Sequence, residues 1–281
     1  MLTKKIDFMG IISVNHANPN GDPLSGNRPR EDYNGFGEIS DVCLKRKIRN
    51  RLQDMGEDIF VKMAERADDG YNSLSERAKG EVKNYKTNDE YAKIACEKWI
   101  DVRAFGQVFA FKGKSAKDGV SVGVRGPVSI HSAFSVDPVD ISSIQITKSV
   151  NSEPTKDGSK SSDTMGMKHR VDFGVYLLKG SINCQLSEKT GFSDEDAEKV
   201  KQAIITIFDN DASAARPDGS MTLEKLYWWT HSSKLGDYPA SRVHSQLKLN
   251  LKDGIEIPSK IEDYDISVEP LDGLELSLYQ A

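Results

Sequence analysis

Five cations crowd into seven residues at Lys45, Arg46, Lys47, Arg49 and Arg51. On a helical wheel of 100 degrees per residue, Lys45, Arg46 and Arg49 share one sector beside an apolar stripe of Leu44, Ile48 and Leu52, while Lys47 and Arg51 flank its other side. No acidic residue lies between Lys45 and Arg51 to neutralise them at i+3 or i+4. The bland reading is a solvated helix face whose carboxylate partners come from elsewhere. The sharper one, which this charge pattern favours, is a surface that holds phosphates.

Upstream, Asn18, Asn20 and Asp22 alternate like the first ligands of a calcium loop. The match ends there, because Pro23 stands where that loop needs Gly and Pro29 where it needs Glu. The stretch fits better as a shaped loop whose N–H groups and Asn amides contact a sugar-phosphate backbone, with Arg28 and Arg30 adding charge; an ordinary structural loop is the competing reading. Further along, Met165 and Met167 flank Gly166 and precede Lys168, His169 and Arg170. They form either a wedge that pushes between bases while the cations hold phosphate, or a pair that folds back onto the core.

Three catalytic patterns fail on their surroundings. Gly113-Lys114-Ser115 resembles the end of a phosphate-binding loop, but the Gly required five residues earlier is Val108. Gly119 to Gly123 matches G-x-S-x-G, yet Gly126 and Pro127 follow where a nucleophile elbow needs a helix. Gly35-Phe36-Gly37 precedes a helix, but Ser40 replaces the third Gly and a long loop separates it from the strand. The five histidines are dispersed with no i, i+4 pair, and His131 reads as a structural residue within a strand. Cys43, Cys96 and Cys184 lie too far apart for a zinc knuckle or a disulfide framework, which fits a reducing cytoplasm.

The chain of 281 residues carries a net charge of −5, which at face value argues against nucleic acid. The distribution argues otherwise. From Asp253 to Ala281 eight acidic residues face Lys260 alone, a local charge of −7, so residues 1–252 carry +2. Lys4 and Lys5 run into a strand with no small-residue cleavage site, so no signal peptide is expected, and no apolar run reaches membrane-spanning length.

These residues need elements to hold them. Ile6, Phe8, Gly10, Ile12 and Val14 alternate with apolar Met9 and Ile11, the pattern of an interior strand. Asn18 to Gly37 holds too many breakers for a regular element to persist. Ser40 caps a helix that ends near Gly56, and residues 57–100 are charged and helix-compatible. Strands are expected at Val102–Phe111, Val124–Val136, Val171–Cys184, Leu226–Thr230 and Leu247–Leu251. A second helix follows the capping box of Ser193 and Asp196. Residues 147–170 form a long polar stretch, expected to be an extended hairpin. Strand, helix, strands, helix, strand is the order of an α+β split βαβ sheet with helices on one face.

The run Asn18 to Arg30 (NPNGDPLSGNRPR), followed by Ser40 to Asn50 (SDVCLKRKIRN), closely resembles the Cas-seven family, Csd-two type, the backbone subunit of type I-C CRISPR Cascade. Further matches are Asp101–Gly106 (DVRAFG), Val124–Val128 (VRGPV), Thr164–His169 (TMGMKH), Lys189–Asp196 (KTGFSDED) and Ser213–Arg216 (SAAR). The resemblance implies one RRM-like palm with helical fingers at 57–100 and a hairpin thumb at 147–170, repeated as a helical filament along CRISPR guide RNA. It implies RNA contacts at Asn18, Asn20, Asn27, Arg28, Arg30, Lys45, Arg46, Arg49, Arg103, Arg125, Lys168 and His169, with Met165 and Met167 as base wedges. The implied partners are the guide, target DNA paired to it, further copies of the chain and other Cascade subunits, with no membrane and no cofactor. Binding without catalysis is expected. The competing enzyme reading is a metal-dependent ribonuclease using Asp22 or Asp32, as related backbone subunits of type III complexes do, and a third is a self-associating scaffold with no RNA preference.

Overall fold

The computed structural model describes residues 1–111, 119–150 and 165–280. The Gly113-Lys114-Ser115 motif and residues 151–164 of the expected thumb lie outside them. The first strand, β1 (Ile6–Ala17), is buried on both faces along most of its length and lies between two other strands. The breaker-rich stretch after it is less irregular than expected. It contains a short hairpin of β2 (Gly21–Asp22) and β3 (Arg28–Pro29), then the edge strand β4 (Phe36–Ile39). Helix α1 (Asp41–Asp54) starts where Ser40 Oγ accepts the Cys43 N–H at 3.3 Å, and it buries Leu44, Ile48 and Leu52 as their spacing requires.

Helices α2 (Leu74–Glu81), α3 (Asn88–Lys98) and α4 (Ile100–Phe105) pack with the hairpin of β5 (Gly106–Phe111) and β6 (Val120–Arg125). They surround a separate core built on Phe60, Tyr91, Trp99, Val102, Phe109 and Val122. Here the expected strand over Val102–Phe111 is corrected, because its first four residues are helical. Ile100 and Ala104 face the main core whereas Val102 faces the second one, so a helix squeezed between two cores is apolar on both sides and its pattern mimics a strand. Gly106 then turns the chain at φ +79°; a Cβ there would sit 2.4 Å from the Val124 carbonyl oxygen, so the turn needs glycine.

The expected strand over Val124–Val136 is likewise broken, at Gly126-Pro127 and again at His131-Ser132, into β6, β7 (Val128–Ile130) and β8 (Ala133–Pro138). Next come β9 (Ile141–Thr147), the 18-residue β10 (Met165–Ile182), α5 (Cys184–Thr190) and α6 (Asp194–Ile205). Both halves of the Ser193/Asp196 capping box form. The chain continues through β11 (Met221–Thr230), α7 (Ala240–His244), β12 (Leu247–Leu251), β13 (Tyr264–Val268) and β14 (Glu275–Gln280).

The main sheet runs β14-β11-β1-β10-β8-β4, with β7 and β9 also pairing to β10, and every pair is antiparallel. With β7 and β8 as the second strand, β10 the third and β11 the fourth, the spatial order is 4-1-3-2, that of a split βαβ unit. Helices α1 and α6 cover one face, over Phe8, Ile12, Leu178 and Trp228, and Phe8 stacks on Trp228 with ring centroids 5.2 Å apart. The second face is covered too, as the doubly apolar pattern of β1 implies. There α7, β12 and β13 close over Met9, Ile11, Val175, Tyr227 and Trp229, sealing apolar positions that alternate with the first set along the same strands. Among the described residues no helix is long and apolar enough to cross a membrane.

Candidate nucleic-acid interface

The cations of α1 are not the open stripe that their spacing suggests. Lys45 Nζ bonds Asp41 at 2.9 Å, one turn back in the same helix. Arg49 Nε reaches Asp101 at 2.9 Å, and Arg51 is held by Thr206, Asp209 and Asp54. Lys47 is buried on Asp211, and its ammonium titrates below the usual lysine range because burial outweighs that carboxylate. The reading that nothing neutralises this helix is therefore corrected: the acids lie just outside Lys45–Arg51, at Asp41 and Asp54, and across the fold at Asp101, Asp209 and Asp211. Arg103, expected on RNA, spends its guanidinium on Asp196 at 2.7 and 3.1 Å, tying α4 to α6.

Arg46 differs. Its Nη1 donates to the Val61 carbonyl at 2.6 Å, and among the described residues no carboxylate lies within ion-pair distance of it. Burial, together with the positive charge of Arg49, lowers its pKa, and Asp101 offsets this only in part. Such a guanidinium gains from any anion that approaches. It lines a cleft of about 210 Å³ with Asn50, Arg66 and Arg216, where Lys47 and Arg216 share the single carboxylate of Asp211. Glu65 is the opposing charge there, and Arg66 is itself paired to Asp54 at 2.6 Å. Asn50, Arg66 and Arg216 were missed as site residues, although Arg216 ends the Ser213–Arg216 motif and that was the available signal.

The loop from Asn18 to Arg30 is built by its own polar groups. Asn18 is buried and donates to the Asn27 carbonyl at 2.6 Å. Asn20 Oδ1 accepts from both the N–H and the hydroxyl of Ser40, at 2.9 and 2.8 Å, and so latches the loop to the start of α1. Gly21 suits the close approach, since a Cβ there would lie 2.9 Å from the Asn27 backbone carbonyl oxygen. Asn27 is exposed in the left-handed region at φ +62°. Asp22 caps the next turn through the Leu24 N–H and the Ser25 hydroxyl, both at 3.1 Å, and reaches Arg30 at 3.5 Å. Asp32 accepts the N–H groups of Asn34 and Phe36. Both carboxylates thus serve backbone turns, and among the described residues no group of three His, Cys, Asp or Glu side chains could hold a metal.

The hairpin of β9 and β10 meets this loop. Arg28 Nη1 donates to Ser143 Oγ at 3.3 Å, and Ser143 Oγ is 2.8 Å from His169 Nδ1, while Glu31 lies 3.6 Å from Arg28. Strand pairing sets Met165 opposite Thr147, Met167 opposite Gln145 and His169 opposite Ser143. Because cross-strand pairs share a face and successive residues alternate, both methionines and His169 project on the side where Arg28 docks. Met165 and Met167 are 59% and 55% exposed, which decides between the two readings left open for them: they do not fold into the core. Lys168 is exposed on the opposite face with Ile144 and Ile146, and Arg170, on that same face, is paired with Asp172. The basic residues therefore do not all back the methionines; His169 alone of the three shares their side.

Of the expected contacts, Arg28 and His169 meet through Ser143 on the hairpin face that also carries Met165 and Met167, Asn27 stays within its own loop, Arg46 opens onto a neighbouring cleft, and Lys45, Arg49 and Arg103 are paired within the fold. Arg125 is exposed at the end of β6, in the unit built round the second core.

The model of one protein family, described as CRISPR-associated protein Cas7, matches residues 4–269. A Haloferax volcanii protein of that same description is 26% identical over 208 residues, which are 69% of this chain and 61% of its own, so the chain spans about three-fifths of that relative's length. Among solved structures, a chain of a CRISPR RNA-guided surveillance complex, pre-nicking, superposes with a TM-score of 0.51 at 17% identity, covering 84% of this chain and 79% of that one. This likeness concerns the fold.

Proposed function

Because this chain belongs to the CRISPR-associated Cas7 family, we propose that it is a backbone subunit of an RNA-guided surveillance complex, of the type I-C kind that its Asn18–Arg30 run resembles. Several copies lie along one guide RNA in the cytoplasm, hold it by its backbone and present its bases for pairing with target DNA. The role is binding rather than catalysis. The observation that carries the reading is the junction of the loop with the hairpin through Arg28, Ser143 and His169. It sets a cation and a ring beside two exposed methionines, so one surface offers a phosphate contact and a thioether wedge together. Arg46 and Arg216 extend this surface as a phosphate-holding cleft on α1.

Contacts of this kind ignore base identity, which predicts how they fail. Arg28→Ala combined with Arg46→Ala weakens binding of guides of unrelated sequence alike, and it lowers the slope of log affinity against log salt by roughly 0.7 for each single-strand phosphate no longer neutralised. RNA of defined length should leave the purified wild-type protein on extraction. A folded double variant with unchanged salt curves would remove the proposed surface. Incubating the RNA-loaded wild type with complementary RNA and magnesium separates the enzyme reading, since regular cleavage abolished by Asp22→Asn or Asp32→Asn would establish it.

A further inference from the structure

The charge of −7 carried from Asp253 to Ala281 plays no part in a surface that holds RNA. Of its eight acids, Glu269 alone makes an ion pair among the described residues, with Lys248. The segment leads into β14, which pairs with β11 along one side and, among the described residues, with no strand along the other. Such an edge presents a row of unpaired N–H and C=O groups, and proteins usually blunt it with lysine, proline or a bulge. The sequence of β14, ELSLYQ, has neither residue, and its register with β11 is unbroken. Leu276 and Leu278 stand opposite Trp229 and Tyr227 of the core on the second face and are 41% and 52% exposed. The apolar layer of that face therefore runs out past the last strand into solvent. Gln280 continues their row into a groove of about 360 Å³ whose far wall holds Ile261 and Ile266. Glu224 and Glu262 line this groove against Lys225 alone. At the opposite end of the strand stand Asp272 and Glu275, so acids bracket an apolar edge.

We propose that β14 takes up one further strand from another protein, an extended segment that is apolar at alternate central positions and carries Lys or Arg towards both ends. The main-chain groups of that segment complete the open edge, its apolar side chains lie beside Leu276 and Leu278, and its terminal cations meet the acids at either end. A second copy of this chain suits the edge less well. Pairing β14 with β14 sets two acidic segments against each other, and β4, the other edge of the main sheet, carries Glu38 and no cation.

The test uses the full chain as purified, with whatever nucleic acid it carries, and reads fluorescence anisotropy of a labelled synthetic peptide. The peptide alternates valine and threonine in its centre and has two lysines at each end. Leu276→Ser with Leu278→Ser should weaken its binding by roughly tenfold or more, since the apolar row is lost. Leu276→Val with Leu278→Val should keep most of it, and a urea midpoint checks that the serine variant is folded. Methylating the central backbone nitrogens of the peptide should cost wild-type binding a similar factor, because the edge then finds no N–H donors. This comparison needs no variant, and bound nucleic acid attracts both peptides alike because their charges are equal. A peptide ending in glutamate instead of lysine should not bind. A lysine peptide that fails to bind, or that binds a folded serine variant as it binds wild type, overturns the proposal. Equal binding of the methylated or the glutamate peptide overturns it as well. So does self-association of the wild type in sedimentation that the serine variant abolishes, which gives the edge to a second copy, and so does loss of co-purifying RNA from that variant, which gives it to the guide path.

Discussion

Asp101 is where replacing one atom should cost most. The side chain is fully buried: Oδ2 accepts from Arg49 Nε at 2.9 Å and the Val61 N–H at 3.1 Å, and Oδ1 accepts from the Phe60 N–H at 2.8 Å. One carboxylate therefore joins α1, the chain entering the second core, and α4. Asp101→Asn keeps the shape and removes the charge. If the amide oxygen takes the place of Oδ2, the amide NH2 faces the buried Phe60 N–H, donor against donor. Leaving that group unpaired costs about 1–3 kcal/mol, and replacing the Arg49 ion pair by a bond from the same cation to a neutral acceptor removes about 1 kcal/mol more. The sum, about 3 kcal/mol, is at the low end of what severing a buried pair costs, because Arg49 keeps partial exposure and the Phe105 ring 5.2 Å away.

For a chain of this size the loss corresponds to a fall in Tm of about 6 °C. Urea unfolding followed by tryptophan fluorescence measures it in both cores, since Trp99 lies in one and Trp228 in the other. A midpoint within about 0.5 kcal/mol of wild type would refute the argument. It would mean that Arg49 does not depend on Asp101 and is free to hold phosphate, as its spacing on the helix first implies.

Two further outcomes follow from the same geometry. Burial pushes the Asp196 carboxyl up, but the Arg103 hydrogen bonds and those from Ser193 outweigh it and hold the pKa below the ordinary 3.8. The stability this provides is full above pH 3.8 and is lost as pH falls through the depressed folded value, so Arg103→Met should move acid unfolding, followed by near-UV circular dichroism, to higher pH; an unmoved midpoint would show that the pair contributes nothing. Met165→Gln with Met167→Gln should leave the urea midpoint within about 0.5 kcal/mol, since both side chains stand in solvent, while guide affinity falls; a marked loss of stability instead would place them in the core.

What was legible in the sequence was local. The apolar alternation of β1, the Ser40 cap and the Ser193/Asp196 box each lie within a few residues, where spacing alone fixes geometry. The helix α4 was not legible, because its two buried sides answer to two cores and no single face shows in the pattern. Nor was the meeting of Arg28 with Ser143 and His169, which depends on β10 continuing beyond the sheet into the hairpin.

The basic helix separates the two kinds of information most clearly. Asp41 stands four residues before Lys45 and Asp54 three after Arg51, within reach of a search that looks both ways along the helix. Asp101, Asp209 and Asp211 arrive only on folding. A cation counts toward phosphate binding only after the protein's own carboxylates are subtracted, because a buried or half-buried pair must be broken before a phosphate can replace it. By that count five cations on α1 reduce to Arg46, and the proposed RNA surface moves from the helix to the loop and hairpin beside it.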